Sequence, residues 1–241
     1  EFNPHIVSKY RIDYNFPERN QDNIDFVMKT LWQEPFSNKD WDTSSKYERI
    51  LMATGLFKEY HLKKALIQIG ESNAGKGVKT NAFQNTFQNY IGTFNITSLV
   101  YNANSGSDSA KQLSFLLSIY DKRISFSSEA STSCVLDANL YKNIVSGGDR
   151  ILARSNFKDE KEIVNTSLLI SCMNAMPRIE PIDDAVVNRL EMVQYKNIFV
   201  ANPTQETNER KRDENIKSIL NQQKYKDALC HIMFESYSEW I

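Results

Sequence analysis

The apolar residues of this chain change their spacing near residue 65, and the change separates a helical part from an alternating one. Over 22–62 they recur at helical intervals, with Tyr47, Ile50, Leu51 and Thr54 on one face ahead of Gly55. Ser45 and Glu48 have the spacing of a capping box, which predicts a helix start there. From Ala65 onward, short apolar runs alternate with helix-spaced segments. Runs at 65–69, 96–101 and 123–128 predict strands, and a helix follows the first of them to about 91. Leu113, Leu116, Leu117 and Tyr120 mark a further helical face within 109–120. Runs at 151–157 and 163–173 flank the polar tetrad Lys158-Asp159-Glu160-Lys161 and predict a hairpin, and 192–200 predicts the last strand. Beyond it, 205–221 is charged and reads as a solvated helix, while 224–240 is amphipathic. The pattern predicts an α/β fold with a mainly parallel sheet: an N-terminal helical segment (1–62), a core (63–200) and C-terminal helices (201–241).

The first core strand runs into Gly70-Glu71-Ser72-Asn73-Ala74-Gly75-Lys76, followed by Gly77 and Val78 at the head of a helix. Glycines at both ends of such a loop let the backbone wrap a polyphosphate with its N–H groups turned inward. Lys76 supplies a point charge to the β and γ phosphates, and the helix adds its positive end. The predicted ligand is therefore a nucleoside triphosphate with Mg²⁺. One position departs from the pattern: Gly77 stands where a serine or threonine would touch the metal.

Four further features carry candidate chemistry. Glu129 follows the strand at 123–128; an acid at the end of a neighbouring core strand can hold Mg²⁺ through water or orient an attacking water, or it is a surface glutamate. Asn174 ends an apolar run, where its amide can bond a γ phosphate without adding charge, or simply form the turn before Met176-Pro177. Lys142, Arg150, Arg154, Lys158 and Lys161 form the one basic cluster, set around Gly147-Gly148-Asp149 and the hairpin. It reads either as a grip for a single-stranded nucleic acid or as a solvated turn diluted by Asp159 and Glu160. Arg189 is either a finger reaching a neighbouring subunit's γ phosphate or half of a salt bridge to Asp183 or Glu191.

Composition narrows the rest. With 29 Lys and Arg against 30 Asp and Glu, the net charge is −1, so any nucleic-acid contact must come from a local patch. Cys134, Cys172 and Cys230 are widely spaced, which fits neither a disulfide framework nor a zinc site and points to a reducing, intracellular compartment. His5, His61 and His231 are scattered and read as structural or surface residues. No apolar stretch approaches the roughly 20 residues needed to span a bilayer, so no membrane partner is expected. The chain opens at Glu1 without methionine, which reads as part of something longer.

The ordered set of Glu129, Lys142 with Gly147-Gly148-Asp149 and Arg154, Asn174-Ala-Met-Pro, Asp183 and Asn188-Arg189 resembles the superfamily 3 helicase core. The branch it resembles is the poxvirus-type primase–helicase of large DNA viruses, phages and mobile elements, over roughly residues 20–200. The resemblance implies an AAA+ P-loop domain that forms a hexameric ring, hydrolyses ATP between subunits and threads one DNA strand in replication. It implies a Walker A loop at Gly70, Gly75 and Lys76, a Walker B acid at Glu129, a sensor at Asn174 and an arginine finger at Arg189. DNA-gripping lysines would fall at Lys158 and Lys161, and a primase domain upstream of Glu1. Asn188 replaces a second arginine common in the family, and Gly77 makes a non-hydrolysing DNA-binding ring the chief alternative. A small-molecule kinase would leave the stretch from Lys142 to Arg154 unexplained.

Overall fold

A computed structural model of the chain describes residues 16–37, 41–100, 109–127, 135–155, 158–205 and 208–241. Two helices come first, α1 (Gln21–Met28), extended by a π-helical turn at Lys29–Gln33, and α2 (Lys46–Leu56). The core continues with β1 (Ala65–Ile69), α3 (Lys76–Phe87), β2 (Ile91–Phe94), α4 (Ser109–Gln112), β3 (Ile124–Ser127), β4 (Val135–Asp137) and α5 (Ala138–Ile144). Next come β5 (Arg150–Ala153), β6 (Lys161–Val164), β7 (Leu168–Met173), β8 (Arg178–Glu180), α6 (Asp184–Val187) and β9 (Leu190–Gln194). The chain ends with β10 (Ile198–Val200), β11 (Glu209–Lys211), α7 (Ile216–Leu220) and α8 (Gln223–Trp240).

The central sheet has the order β2-β3-β7-β1-β9, with every neighbouring pair parallel. Its central strands β1 and β7 bury side chains on both faces, as a sheet covered on two sides requires. In β3, Ile124 and Phe126 turn to one core and the buried Ser125 and Ser127 to the other side. Along β7, Leu168, Ile170 and Cys172 face one core while Leu169 and Met173 face the other. The first core is closed by α1, α2, α3 and α8 through residues such as Val27, Trp32, Met52, Phe83 and Met233. The second is closed by α5 and α6 with the segments at 96–99 and 113–118, through Leu99, Leu116, Tyr141 and Val186. Both helical segments thus pack on the same face of the sheet.

Several local expectations change. The predicted strand at 96–101 is a 3₁₀ turn over Ile96–Leu99, and the real strand lies earlier at β2. The helix after the phosphate loop stops at Phe87, where Gln88 takes a φ of 46°, a positive value outside the helical region that breaks the repeat. The hairpin is present, but its second arm is only β6; the run at 163–173 divides, and its latter part becomes the central strand β7. The run at 192–200 divides likewise into β9 and β10, and the charged stretch after it supplies β11, paired parallel with β10, before α7. The capping box does not form. The Ser45 hydroxyl donates to the Trp41 carbonyl, Glu48 is buried and Tyr47 is exposed. Among the described residues, no helix is long and apolar enough to cross a membrane.

Candidate nucleotide site

The phosphate loop lies between the end of β1 and the start of α3, at the edge of the sheet where all five parallel strands end. Gly75 adopts a φ of 95°, a conformation that glycine alone reaches at little cost, and it forms the cap of α3. Gly70 is required by space: a Cβ there would sit 2.8 Å from Cβ of Tyr195. Asn73 also has a positive φ, 65°, and its carbonyl accepts a hydrogen bond from the N–H of Phe199 at 3.0 Å. The loop is further tied to the sheet by Gly70 N–H donating to the Met173 carbonyl at 3.1 Å.

Lys76 is only 4% exposed. Its ammonium donates to the Gly70 carbonyl, to the Glu71 carbonyl at 3.1 Å and to Oδ1 of Asn174 at 3.2 Å. Two residues distant in sequence therefore meet. They do so because β7 is the direct neighbour of β1, so the residue after Met173 emerges beside the loop. On the other side of the loop, a cleft of about 430 Å³ is lined by Thr30, Glu34, Gly75, Gly77, Phe199 and Lys217 among others. A Cβ on Gly77 would meet nothing within 4 Å. Thr80, the next hydroxyl along α3, donates to the Lys76 carbonyl at 3.2 Å.

Glu129 lies outside the described residues. The strand before it, β3, lies in the same parallel sheet, separated from β1 by β7. Cys172 N–H donates to the Ser127 hydroxyl at 2.9 Å and fixes the end of β3 at the same edge as the loop.

The remaining candidate residues are dispersed. Arg189 makes neither expected salt bridge. Its guanidinium donates to the carbonyls of Val145 at 3.1 Å and Ala185 at 2.7 Å, while Glu191 pairs with Lys64. It also precedes β9, at the sheet edge opposite the phosphate loop. Lys142 pairs with Asp183 at 2.7 Å, and Asp183 caps α6 through the Val186 N–H. The hydrogen bond from Lys142, reinforced by that amide, holds the Asp183 carboxyl below its usual range. Arg150 pairs across the hairpin with Glu162 at 2.8 Å. Lys161 reaches the Tyr120 hydroxyl at 3.1 Å and lies 5.0 Å from that ring's centroid. Lys158 is exposed near the tip, and the Arg154 N–H donates to the Ala110 carbonyl at 2.9 Å. The cluster is thus largely neutralised at Lys142 and Arg150, and its open end is the tip.

Sequence reading missed a buried polar group behind the loop. Glu48 and Lys79, both fully buried, form an ion pair, and Glu48 Oε1 accepts from Gln68 Nε2 and from the Tyr195 hydroxyl, each at 2.7 Å. A signal was available. Lys79 lies on the helical stripe of Ala82, Phe83, Thr86 and Phe87, and Glu48 on that of Leu51, Met52 and Gly55. Two opposite charges on two core-facing stripes call for each other, because neither is buried alone at reasonable cost.

A five-stranded parallel sheet with a glycine-bounded loop between strand and helix defines the chain as an α/β protein with a P-loop NTPase-like core. No protein-family model matches it. Its sequence is 31% identical over 245 residues to "Putative helicase V13" of Sputnik virophage. That alignment takes in 100% of this chain and 30% of the relative, so the chain spans under a third of the relative's length. Its fold is similar to that of the C-terminal region of NrS-1. One apo structure matches with a TM-score of 0.59 and 15% identity, over 90% of this chain and 46% of the other. A second matches with a TM-score of 0.55 and 16% identity, over 95% and 48%.

Proposed function

We propose that this chain is the motor core of a superfamily 3 DNA helicase, hydrolysing ATP at subunit interfaces of a homo-oligomeric ring to move along single-stranded DNA. The observation that carries the reading is the meeting of Asn174 with Lys76 beside a glycine-bounded loop; the similarity of this whole chain to 30% of a virophage protein named as a helicase supports it. In the nucleotide-bound state the Lys76 ammonium exchanges its loop carbonyls for phosphate oxygens, which return a stronger bond because both partners are then charged. The Asn174 amide, freed from that lysine, can turn to the γ phosphate or its attacking water. Glu129 orients that water, and Arg189 serves a neighbouring copy. Mg²⁺ supplies charge neutralisation on the phosphates. The loop offers no hydroxyl for it at Gly77, so its protein contact would be Glu129 through water.

Gly77 also favours a second reading, a ring that binds nucleotide and DNA without turnover. Phosphate release measured with Mg²⁺ and single-stranded DNA separates the two: turnover supports the motor, and none under any condition supports the static ring. Because the space at Gly77 is empty, Gly77→Ser should fold as the parent does. If the missing metal ligand limits the rate, hydrolysis should rise on the order of tenfold in that variant. An unchanged rate would show that Gly77 is no bottleneck.

Replacing Lys158 and Lys161 together by alanine should weaken single-strand binding and spare nucleotide binding. Losing two phosphate contacts lowers the slope of log affinity against log salt by about 1.4. Titrations at several salt concentrations check this, and an unchanged slope would leave the hairpin tip as solvated surface.

A further inference from the structure

We infer that Glu48, Lys79, Gln68 and Tyr195 form a clamp that positions the phosphate loop from behind. The inference rests on the nucleotide-binding reading above and assigns that site a set of positioning residues outside the loop itself.

Each member of the group is attached to a different element, and three of those elements border the loop. Gln68 belongs to β1, two positions before Gly70. Lys79 belongs to α3, in the first turn after the loop. Tyr195 follows β9; its N–H donates to the Ile69 carbonyl at 2.7 Å, and its Cβ sets the space that only a glycine at 70 can occupy. Glu48 comes from α2, in the N-terminal helical segment, and is the hub that accepts from all three others. The arrangement therefore fixes both ends of the loop and its backing strand to one carboxylate.

The surroundings make the geometry stiff. The Lys79 ammonium lies 5.0 Å from the Trp32 ring centroid, 5.5 Å from that of Phe36 and 4.9 Å from that of Tyr195. These rings exclude water and leave the cation Glu48 as its charged partner. Cys172 Sγ extends the group to β7 by approaching Gln68 Oε1 at 3.4 Å, directly before the strand end that presents Asn174. A buried pair of this kind is a weak source of net stability, because desolvation offsets its attraction. What it does supply is a single permitted geometry, since any displacement of β1 against α3 would part the charges. Desolvation lowers the pKa of Lys79 while Glu48 opposes that shift, and burial raises that of Tyr195.

The test uses two variants of the full chain, Glu48→Gln with Lys79→Met together, and Tyr195→Phe alone. The first removes both charges at once and leaves none stranded; the second keeps the ring and removes a single hydroxyl bond, so it should fold even where the first does not. Amide hydrogen exchange at 73–76 reads loop geometry without nucleotide. Titration with a fluorescent ATP analogue reads the site. Faster loop exchange in both variants, at least fivefold in the double replacement, and a tenfold loss of nucleotide affinity are expected. Parent-like loop exchange in folded variants would overturn the clamp. If the parent chain binds no nucleotide while loop exchange still responds, the nucleotide reading fails and the clamp stands.

Discussion

A Lys76→Ala chain is expected to lose ATP hydrolysis and to bind nucleotide far more weakly, while remaining folded. In the structure Lys76 holds two loop carbonyls and Asn174, contacts that water or a neighbouring amide can replace when the side chain is shortened. A bond from it to a nucleotide phosphate would be different in kind, a full charge against a full charge. Hydrogen bonds to charged groups contribute roughly 1.5–3 kcal/mol, which is a loss of about 10- to 150-fold in affinity. Hydrolysis should fall further, because the charge that develops at the γ phosphate is greatest in the transition state. Fluorescent ATP-analogue titration and phosphate release measure the two quantities, and circular dichroism checks the fold. Turnover at the parent rate would refute the assignment of this loop as a catalytic phosphate site.

The largest effect on stability is expected at Glu48 and Lys79. Replacing one alone, Glu48 by glutamine or Lys79 by methionine, strands the other's charge among the buried rings of Trp32, Phe36 and Tyr195. Breaking a buried pair from one side costs about 3–5 kcal/mol, and in a chain of this length that lowers Tm by roughly 10 °C. Replacing both together, by glutamine and methionine, should cost much less than the sum of the single changes, because neither partner is then orphaned. Thermal melts of the four members of this double-mutant cycle give the coupling directly. Additive losses would mean that the two residues act independently, whatever their proximity.

The residues that announced themselves in the sequence are those whose role depends on local order. β1 lies where its apolar run placed it, and Gly75 in the loop after it takes the positive φ that glycine favours. The hairpin around Lys158 to Lys161 also depends only on neighbours in the chain, and it is there. What escaped was set by long-range packing. No local pattern says that β7 should insert between β1 and β3, which sets the strand before Asn174 directly beside β1 and β3 one strand further out. The spacing of Ser45 and Glu48 suggested a surface cap, yet Glu48 turns inward because a cation waits for it in α3. The break between β9 and β10 likewise belongs to Asn197, whose amide donates to the carbonyls of Glu34 and Phe36 at 2.7 Å each. Lys142 looked like part of a basic patch until Asp183 proved to be its neighbour.

The polarity of the sheet sets a limit on self-sufficiency. Leu190 is in register with Ala65, so Arg189 sits at the foot of the sheet and Gly70 at its head, separated by about 20 Å at the usual rise per residue. That gap is longer than an arginine side chain, so within one molecule this guanidinium does not reach the phosphate loop. Arg189 therefore has two futures open to it: to leave the carbonyls of Val145 and Ala185 for another copy's substrate, or to stay and serve only the architecture.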